Sequence, residues 1–287
     1  MTLTQILFVH TKEHRAVGHF NISNLEMLRA ILEAAKEMGS LVMIGTSEGE
    51  AEYLGRKQIV ALIEAYCEDW GVEAILNADH HKSVEAAKAA IDAGYQSIHI
   101  DLSKLPFEEN IAGTHAVVEY AHAKDIHISV EGELGVLATD SSKVYEGEIV
   151  VRPEDLTGPE QAAEFVERTG VNRFAPAVGN FHGMATHTKK QLDFDRIEAT
   201  RKILPEEVAI VLHGGSGTSD DQLQEAIKRG VANIHISTEL RVAYSSALRK
   251  FLADNPEETT PYKMFPSVIH AVRTVVLERV QLFTDTN

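Results

Sequence analysis

The stretch "ILNADHH" (75–81) decides how this chain is read. A short apolar run ends in an aspartate and two histidines. A run of that length, bounded by polar residues, is strand-like, and titratable side chains at its end mark the place where a strand leaves the core. Similar runs recur along the chain. "RAVGHF" (15–20) and "LVMIGTS" (41–47) precede it, and the strand that overlaps it reads "AILNADH" (74–80). "SIHIDLS" (97–103), "IHISVEGEL" (126–134), "RFAPAVGN" (173–180), "AIVLHGGS" (209–216) and "NIHISTE" (233–239) follow. Helical patterns lie between them at 24–38, 52–70, 83–93, 107–123, 158–169, 194–203, 219–229 and 239–254.

Ser23 with Glu26 has the spacing of a capping box at the first of these helices. Gly39, Gly71, Gly94, Gly170 and Gly230 stand just past helix ends, where a left-handed residue ends the helix. Eight strand-like runs, each followed by a helix, predict a parallel sheet closed into a (β/α)8 barrel, a TIM barrel, rather than an open doubly wound sheet. Residues 1–287 are read as one such domain, with 255–287 as a helical extension whose apolar stretch at 260–283 packs on the barrel or on a second subunit. The segment 135–157 exceeds a plain connection and reads as a mobile loop.

Composition narrows the function classes. The chain has 287 residues, 44% of them hydrophobic, and a formal net charge of -16. That charge disfavours nucleic acid and anionic membrane as partners, but backbone dipoles can still hold a small anion on an acidic protein. No apolar run reaches membrane-spanning length. The single cysteine, Cys67, rules out an intrachain disulfide framework and fits a reducing compartment. The opening "MTLTQILFVHTKEH" lacks a basic region, and its apolar run stops after four residues, unlike a secretory signal. The expected location is cytoplasmic.

Barrel enzymes carry their chemistry at the C-terminal ends of the strands. Those ends hold Asp79 and His80, Asp101, Glu131 and Glu133, His182 in "GNFHG", His213 in "LHGGSG" and the run "HISTE". One histidine at a strand end is ordinarily a hydrogen-bonded rim residue. Three from separate strands, His80, His182 and His213, form a set that suits zinc with an open coordination position, though imidazoles serve other divalent metals too. His81 is read as a bystander facing a loop, and His99 and His235 as inward-facing barrel residues held by hydrogen bonds. The glycines of "HGGSG" (213–217) let backbone N–H groups approach an anion. Ser237 and Thr238 open a helix whose N-terminus favours negative charge. A metal beside a phosphate site can polarise a carbonyl, and Asp79 is placed to move a proton. No lysine lies in the strand-like runs, so a Schiff base has no evident nucleophile. The residues therefore point to metal-assisted carbanion chemistry on a phosphorylated carbonyl compound. The same residue types serve aldol cleavage, isomerisation and epimerisation alike.

Taken together, "ADHH" (78–81), "IDLS" (100–103), "VEGELG" (130–135), "GNFHG" (179–183), "LHGGSG" (212–217) and "ISTELRVAY" (236–244) resemble the class II, metal-dependent ketose-bisphosphate aldolases. "FNISNLEMLRAILEAA" (20–35) and "TSEGE" (46–50) extend the resemblance, which runs in order from about residue 16 to 250. It implies cleavage of fructose or tagatose bisphosphate to dihydroxyacetone phosphate and glyceraldehyde 3-phosphate, as a homodimer or homotetramer. It implies that His80, His182 and His213 bind Zn2+ or another divalent ion and that Asp79 is the acid/base. Asp101 and Glu133 then match an alternative or second metal position. Gly183, Gly214, Gly215, Ser216 and Thr238 cradle the dihydroxyacetone phosphate, with a monovalent cation as a further ligand class. Ser47 and Arg241 lie towards the other phosphate. His235 stands where the family has a substrate-binding Asn. Ser237 stands where fructose-type members have Asp and tagatose-type members Ala. The loop after "ELG" lacks the family's Gly-Gly-Glu-Glu-like run, leaving Glu146 as a loop carboxylate. Two rival functions, a non-catalytic aldolase-like subunit and a sugar-phosphate epimerase, would use the same barrel.

Overall fold

The structure of the chain, a computed structural model, describes residues 1–139 and 143–285. Each strand-like run forms a strand in parallel register with its neighbours. The barrel strands are β1 (Val17–Asn21), β2 (Val42–Thr46), β3 (Ala74–His81), β4 (Ser97–Ile100), β5 (Ser129–Leu134), β7 (Arg173–Pro176), β9 (Ala209–Leu212) and β10 (Val231–Ile236). They close in the order β1-β10-β9-β7-β5-β4-β3-β2. Two short strands, β6 (Val144–Tyr145) and β8 (Met184–Ala185), pair separately above the strand ends.

The helices cover the barrel because each buries one apolar face. Leu25–Met38 turns Met27, Leu28, Ile31, Leu32 and Ala35 inwards, at the i, i+1, i+4, i+5 and i+8 spacing of a helix stripe. It ends at Gly39, whose φ of 59° is left-handed. The C-terminal helix Pro266–Thr284 packs on Leu25–Met38 and on Thr238–Asp254, so the apolar extension docks on the barrel itself. Phe283 and Val272 are among its buried contacts.

Two expectations are corrected, and two segments gain elements the sequence reading did not assign. The N-terminal segment forms a helix, Leu3–Lys12, opened by a Thr2–Gln5 capping box. It closes the lower end of the barrel by burying Leu3 and Leu7 against Val17, Met43, Ala209 and Ala232. The run 52–70 is two helices, Glu48–Leu54 and Arg56–Trp70, divided at Gly55. The first long helix is capped by Asn24, whose side chain accepts from the Met27 amide, and the Ser23 hydroxyl turns to Glu50 instead. The segment 135–157 contains β6 and a 3-10 turn at Pro153–Asp155; part of it, 140–142, lies outside the described residues.

The barrel interior is unusually polar. His19, Asn77, Ser97, His99, Ser129, Glu131, Arg173, Asn233 and His235 are all buried there. Arg173 is wholly buried, and its guanidinium donates to Glu131 at 2.6 Å, Ser129 at 3.2 Å, and Asn77 at 3.1 Å; Ser97 takes a further bond. A buried ion pair of this kind is tolerated only when further hydrogen bonds satisfy both ions. The network runs from the middle of the barrel up to the histidines at its C-terminal end.

Candidate active site

At the C-terminal ends of the strands lies a narrow cleft. It is lined by Asp79, His80, His182 and His213, by Gly183, Gly214 and Ser216, and by Ser237, Thr238, His235, Asn21, Ser47 and Arg241. Another groove, beside the N-terminal helix, is lined mainly by apolar side chains and lies at the opposite end.

A local irregularity in β3 builds the centre of the cleft. Alternate residues of a strand face opposite sides, so Asp79 and His80 would ordinarily point apart. The β3–β4 register shifts between Ala78 and His81, and His80 adopts a left-handed φ of 47°. That conformation is rare outside glycine and persists at sites where the surroundings hold it. The His80 amide donates to His99 Nδ1 at 3.1 Å, and both Asp79 and His80 reach the cleft. The same shift corrects the reading of His81: it does not face a loop but is buried at the end of β3, paired with Ile100. Burial lowers its pKa to about 4.

The ring centroid of His80 lies 4.7 Å from that of His182 and 4.6 Å from that of His213; His182 and His213 are 5.9 Å apart. The three rings therefore stand together at the cleft. Asp101 Oδ2 stands 2.9 Å from His80 Nδ1, and Glu131 Oε1 stands 2.7 Å from His213 Nε2. A carboxylate only accepts, so those nitrogens carry hydrogens. The lone pairs on His80 Nε2 and His213 Nδ1 are left for a ligand. Burial, reinforced by His80, keeps His182 well below the ordinary histidine range; burial and His235 do the same for His213. Burial opposes charge on His80 as well, but the Asp79, Asp101 and Glu133 carboxylates together outweigh it and raise the pKa. The pocket thus calls for positive charge.

Burial pushes the Asp79 carboxyl up, yet His80, His235 and His99 bring it well below the carboxylate range and keep it anionic. Asn21 donates to its Oδ2 at 2.8 Å, while Oδ1 is buried without a hydrogen-bond partner among the described residues. Glu133 Oε2, His99 Nε2 and His235 Nδ1 share that condition. Unsatisfied buried polar atoms in native proteins are few and are commonly partners of a bound ion or water. Among the described residues, four compact sets can offer ligand atoms within 4.8 Å of one another: Asp79, His80, His99 and His213; His19, Asp79 and His235; Glu131, His213 and His235; and His80, Asp101 and Glu133. His182 stands outside all four and faces His80 across the cleft. Carboxylates, Glu131 foremost, draw His99 towards protonation against the effect of burial. The His80 amide nevertheless occupies its Nδ1 lone pair, which makes it a support rather than a donor.

The anion side of the cleft is formed by the loop after β9 and the start of helix Thr238–Asp254. Gly214 has φ 65°, and a Cβ there would meet the Phe181 carbonyl at 2.2 Å. Gly215 lies outside the cleft lining, packed against Ile234 and the His235 carbonyl. Ser216 Oγ accepts from the Ser237 and Glu239 amides at 3.1 and 3.3 Å, tying the loop to the helix. Beneath the loop, the Lys190 ammonium donates to the carbonyls of Gly183 at 2.8 Å and of Gly214 and Ser216 at 2.6 Å each. Burial lowers its pKa to about 7, with Glu239 opposing.

Asp101 and Glu133 stand behind His80 rather than in the cleft lining, and Glu146 is exposed and apart from it. Sequence reasoning did not assign Glu131, Arg173, Lys190, Asn21 or Glu50. The usable signal for the first two was a pair of opposite charges inside strand-like runs; they are register partners across β5 and β7.

A polar barrel with a histidine cluster able to hold a metal and a glycine-rich anion loop defines a class of metal-dependent sugar-phosphate enzyme. The chain matches the family "Fructose-bisphosphate aldolase class-II" over residues 1–287. It is 40% identical over 271 residues to fructose-bisphosphate aldolase of Geobacillus stearothermophilus, covering 93% of this chain and 91% of that one. It is 35% identical to the probable fructose-bisphosphate aldolase of Bacillus subtilis, covering 100% and 98%. Among solved structures, the YdjI aldolase of Escherichia coli K12 superposes with a TM-score of 0.82 at 33% identity, covering 98% and 96%. The chain belongs to the class II fructose-bisphosphate aldolase family and is a lyase. Family members are metal-dependent and act on phosphorylated sugars. Among the described residues, no helix is long and apolar enough to cross a membrane.

Proposed function

We propose that the chain cleaves the C3–C4 bond of a ketose 1-phosphate reversibly, releasing dihydroxyacetone phosphate and an aldehyde. In the family's own reaction, on fructose or tagatose 1,6-bisphosphate, that aldehyde is glyceraldehyde 3-phosphate. His80, His182 and His213 would hold a divalent ion, with zinc favoured by a set of imidazoles. When bound, such an ion would polarise the ketose carbonyl as a Lewis acid. Asp101 and Glu131 orient His80 and His213 through their outer nitrogens. Asp79 takes the proton of the C4 hydroxyl; the C4–oxygen bond becomes the carbonyl of the leaving aldehyde. The electron pair of the broken bond stays on the dihydroxyacetone phosphate fragment, whose C3 then gains a proton. Gly183, Gly214, Ser216, Ser237 and Thr238 hold the phosphate of that fragment. His235 faces Asp79 with Nδ1 3.5 Å from Oδ1 and serves as a polar contact for the substrate. The reading further takes the protein as a cytoplasmic homodimer or homotetramer, in keeping with its one free cysteine.

The observation that carries this proposal is the buried, anionic Asp79 with one free oxygen beside three clustered imidazoles. It also disfavours a non-catalytic subunit, which has no use for such a group. The test is a coupled assay of dihydroxyacetone phosphate release. Activity that disappears with a chelator and returns with zinc supports the reading; release that is indifferent to the chelator contradicts it.

A further inference from the structure

We propose that Glu50 sets specificity at the end of the site remote from the dihydroxyacetone phosphate cradle. It makes this chain an aldolase for ketose 1-phosphates whose last carbon bears a free hydroxyl. The proposal rests on the aldolase reading and narrows its aldehyde.

Ser47, Asn21 and Arg241 line that end of the cleft. Glu50 stands immediately behind them, buried to 8% exposure, and binds all three. Its Oε1 accepts from Arg241 Nη2 at 2.6 Å and from Ser23 Oγ at 2.7 Å. Its Oε2 accepts from the Ser47 hydroxyl and amide at 2.9 Å each and from Asn21 at 3.4 Å. Part of this is a capping box, in which Ser47 and Glu50 open helix Glu48–Leu54. A cap needs only the Ser47 bonds. It does not require burial, the Arg241 ion pair, or Ser23 turned away from its own helix.

The consequence is electrostatic. Arg241 is the single guanidinium or ammonium side chain among the residues lining the cleft, and Glu50 already neutralises it. A second phosphate placed here gains no net positive charge and meets a fixed carboxylate behind its ligands. A hydroxyl fits better. Arg241 Nε is buried with no partner among the described residues and can donate to it. The Ser47 hydroxyl spends its hydrogen on Glu50 and accepts from the Glu50 amide at 3.4 Å, leaving one oxygen lone pair that accepts from a substrate O–H. A phosphate dianion has no such hydrogen to offer.

The experiment compares kcat/KM for fructose 1-phosphate and fructose 1,6-bisphosphate in the metal-loaded wild type and in Glu50→Gln, which keeps the shape and removes the charge. The wild type is expected to favour fructose 1-phosphate. The variant is expected to move the ratio towards the bisphosphate by about tenfold or more. A merely structural role would lower both substrates together and leave the ratio in place. Wild-type preference for the bisphosphate, or an unchanged ratio in the variant, overturns the proposal. Exchange of the C3 hydrogen of dihydroxyacetone phosphate with solvent deuterium is followed alongside, since it needs no aldehyde. Exchange with a bisphosphate preference sinks the specificity claim alone; absence of exchange sinks the aldolase reading and this proposal with it.

Discussion

Glu131 and His213 are buried 2.7 Å apart, carboxylate Oε1 to imidazole Nε2, and this contact fixes which nitrogen of His213 faces the cleft. The other Glu131 oxygen is held by Arg173 at 2.6 Å. A chain of three side chains therefore links the barrel interior to the proposed ion.

Removing the charge from Glu131 relaxes that orientation. Glu131→Gln is expected to weaken zinc affinity by about 10–100-fold, the usual effect of losing an outer partner of a ligating histidine. Competition with a chromophoric chelator measures it. Affinity equal to the parent would mean that Glu131 does not orient a ligand.

Arg173 compensates the same carboxylate. Arg173→Met leaves Glu131 buried without its cation, and breaking such a pair costs about 3–5 kcal/mol. The loss is read from the urea midpoint of the metal-free protein, which isolates folding from ion binding. A midpoint within error of the parent would show that the ion pair contributes nothing to the fold.

Asp79→Asn replaces the proton acceptor with a group of the same shape. Turnover is expected to fall by about 10²–10⁴-fold, the range for a positioned acid/base. Zinc content should stay unchanged, since the three imidazoles remain. Parental turnover by a zinc-loaded variant would assign the proton to another group.

Lys190→Met strips one shared donor from the carbonyls of Gly183, Gly214 and Ser216. The loop they belong to should lose its shape, raising KM for dihydroxyacetone phosphate by about tenfold or more, since each unpaired buried acceptor costs about 1–3 kcal/mol. Zinc affinity is expected to hold. An unaltered KM would separate the lysine from the anion loop.

The barrel was legible because strand and helix periods alternate cleanly, and all eight barrel strands fall on strand-like runs. Strand-end chemistry was legible because barrel geometry gathers C-terminal ends wherever they lie in the chain. What escaped depended on register or on distant partners. The shift at His80 is invisible in "ADHH", and with it the burial of His81. Ser23 and Glu26 have cap spacing, but Asn24 offers the better-placed oxygen and Glu50, 27 residues on, claims the serine. Lys190 sits in no periodic element, so nothing local shows that three carbonyls converge on it. The N-terminal helix was announced by Thr2 and Gln5 with Leu3, Ile6 and Leu7, a pattern obscured by reading the apolar run only for its length.

X-ray absorption at the zinc edge of the loaded protein tests the central claim most directly. The account predicts a first shell of three imidazole nitrogens at about 2.0–2.1 Å with one light-atom ligand beside them. A shell containing the Cys67 sulfur, or oxygen donors without imidazole scattering, would contradict it.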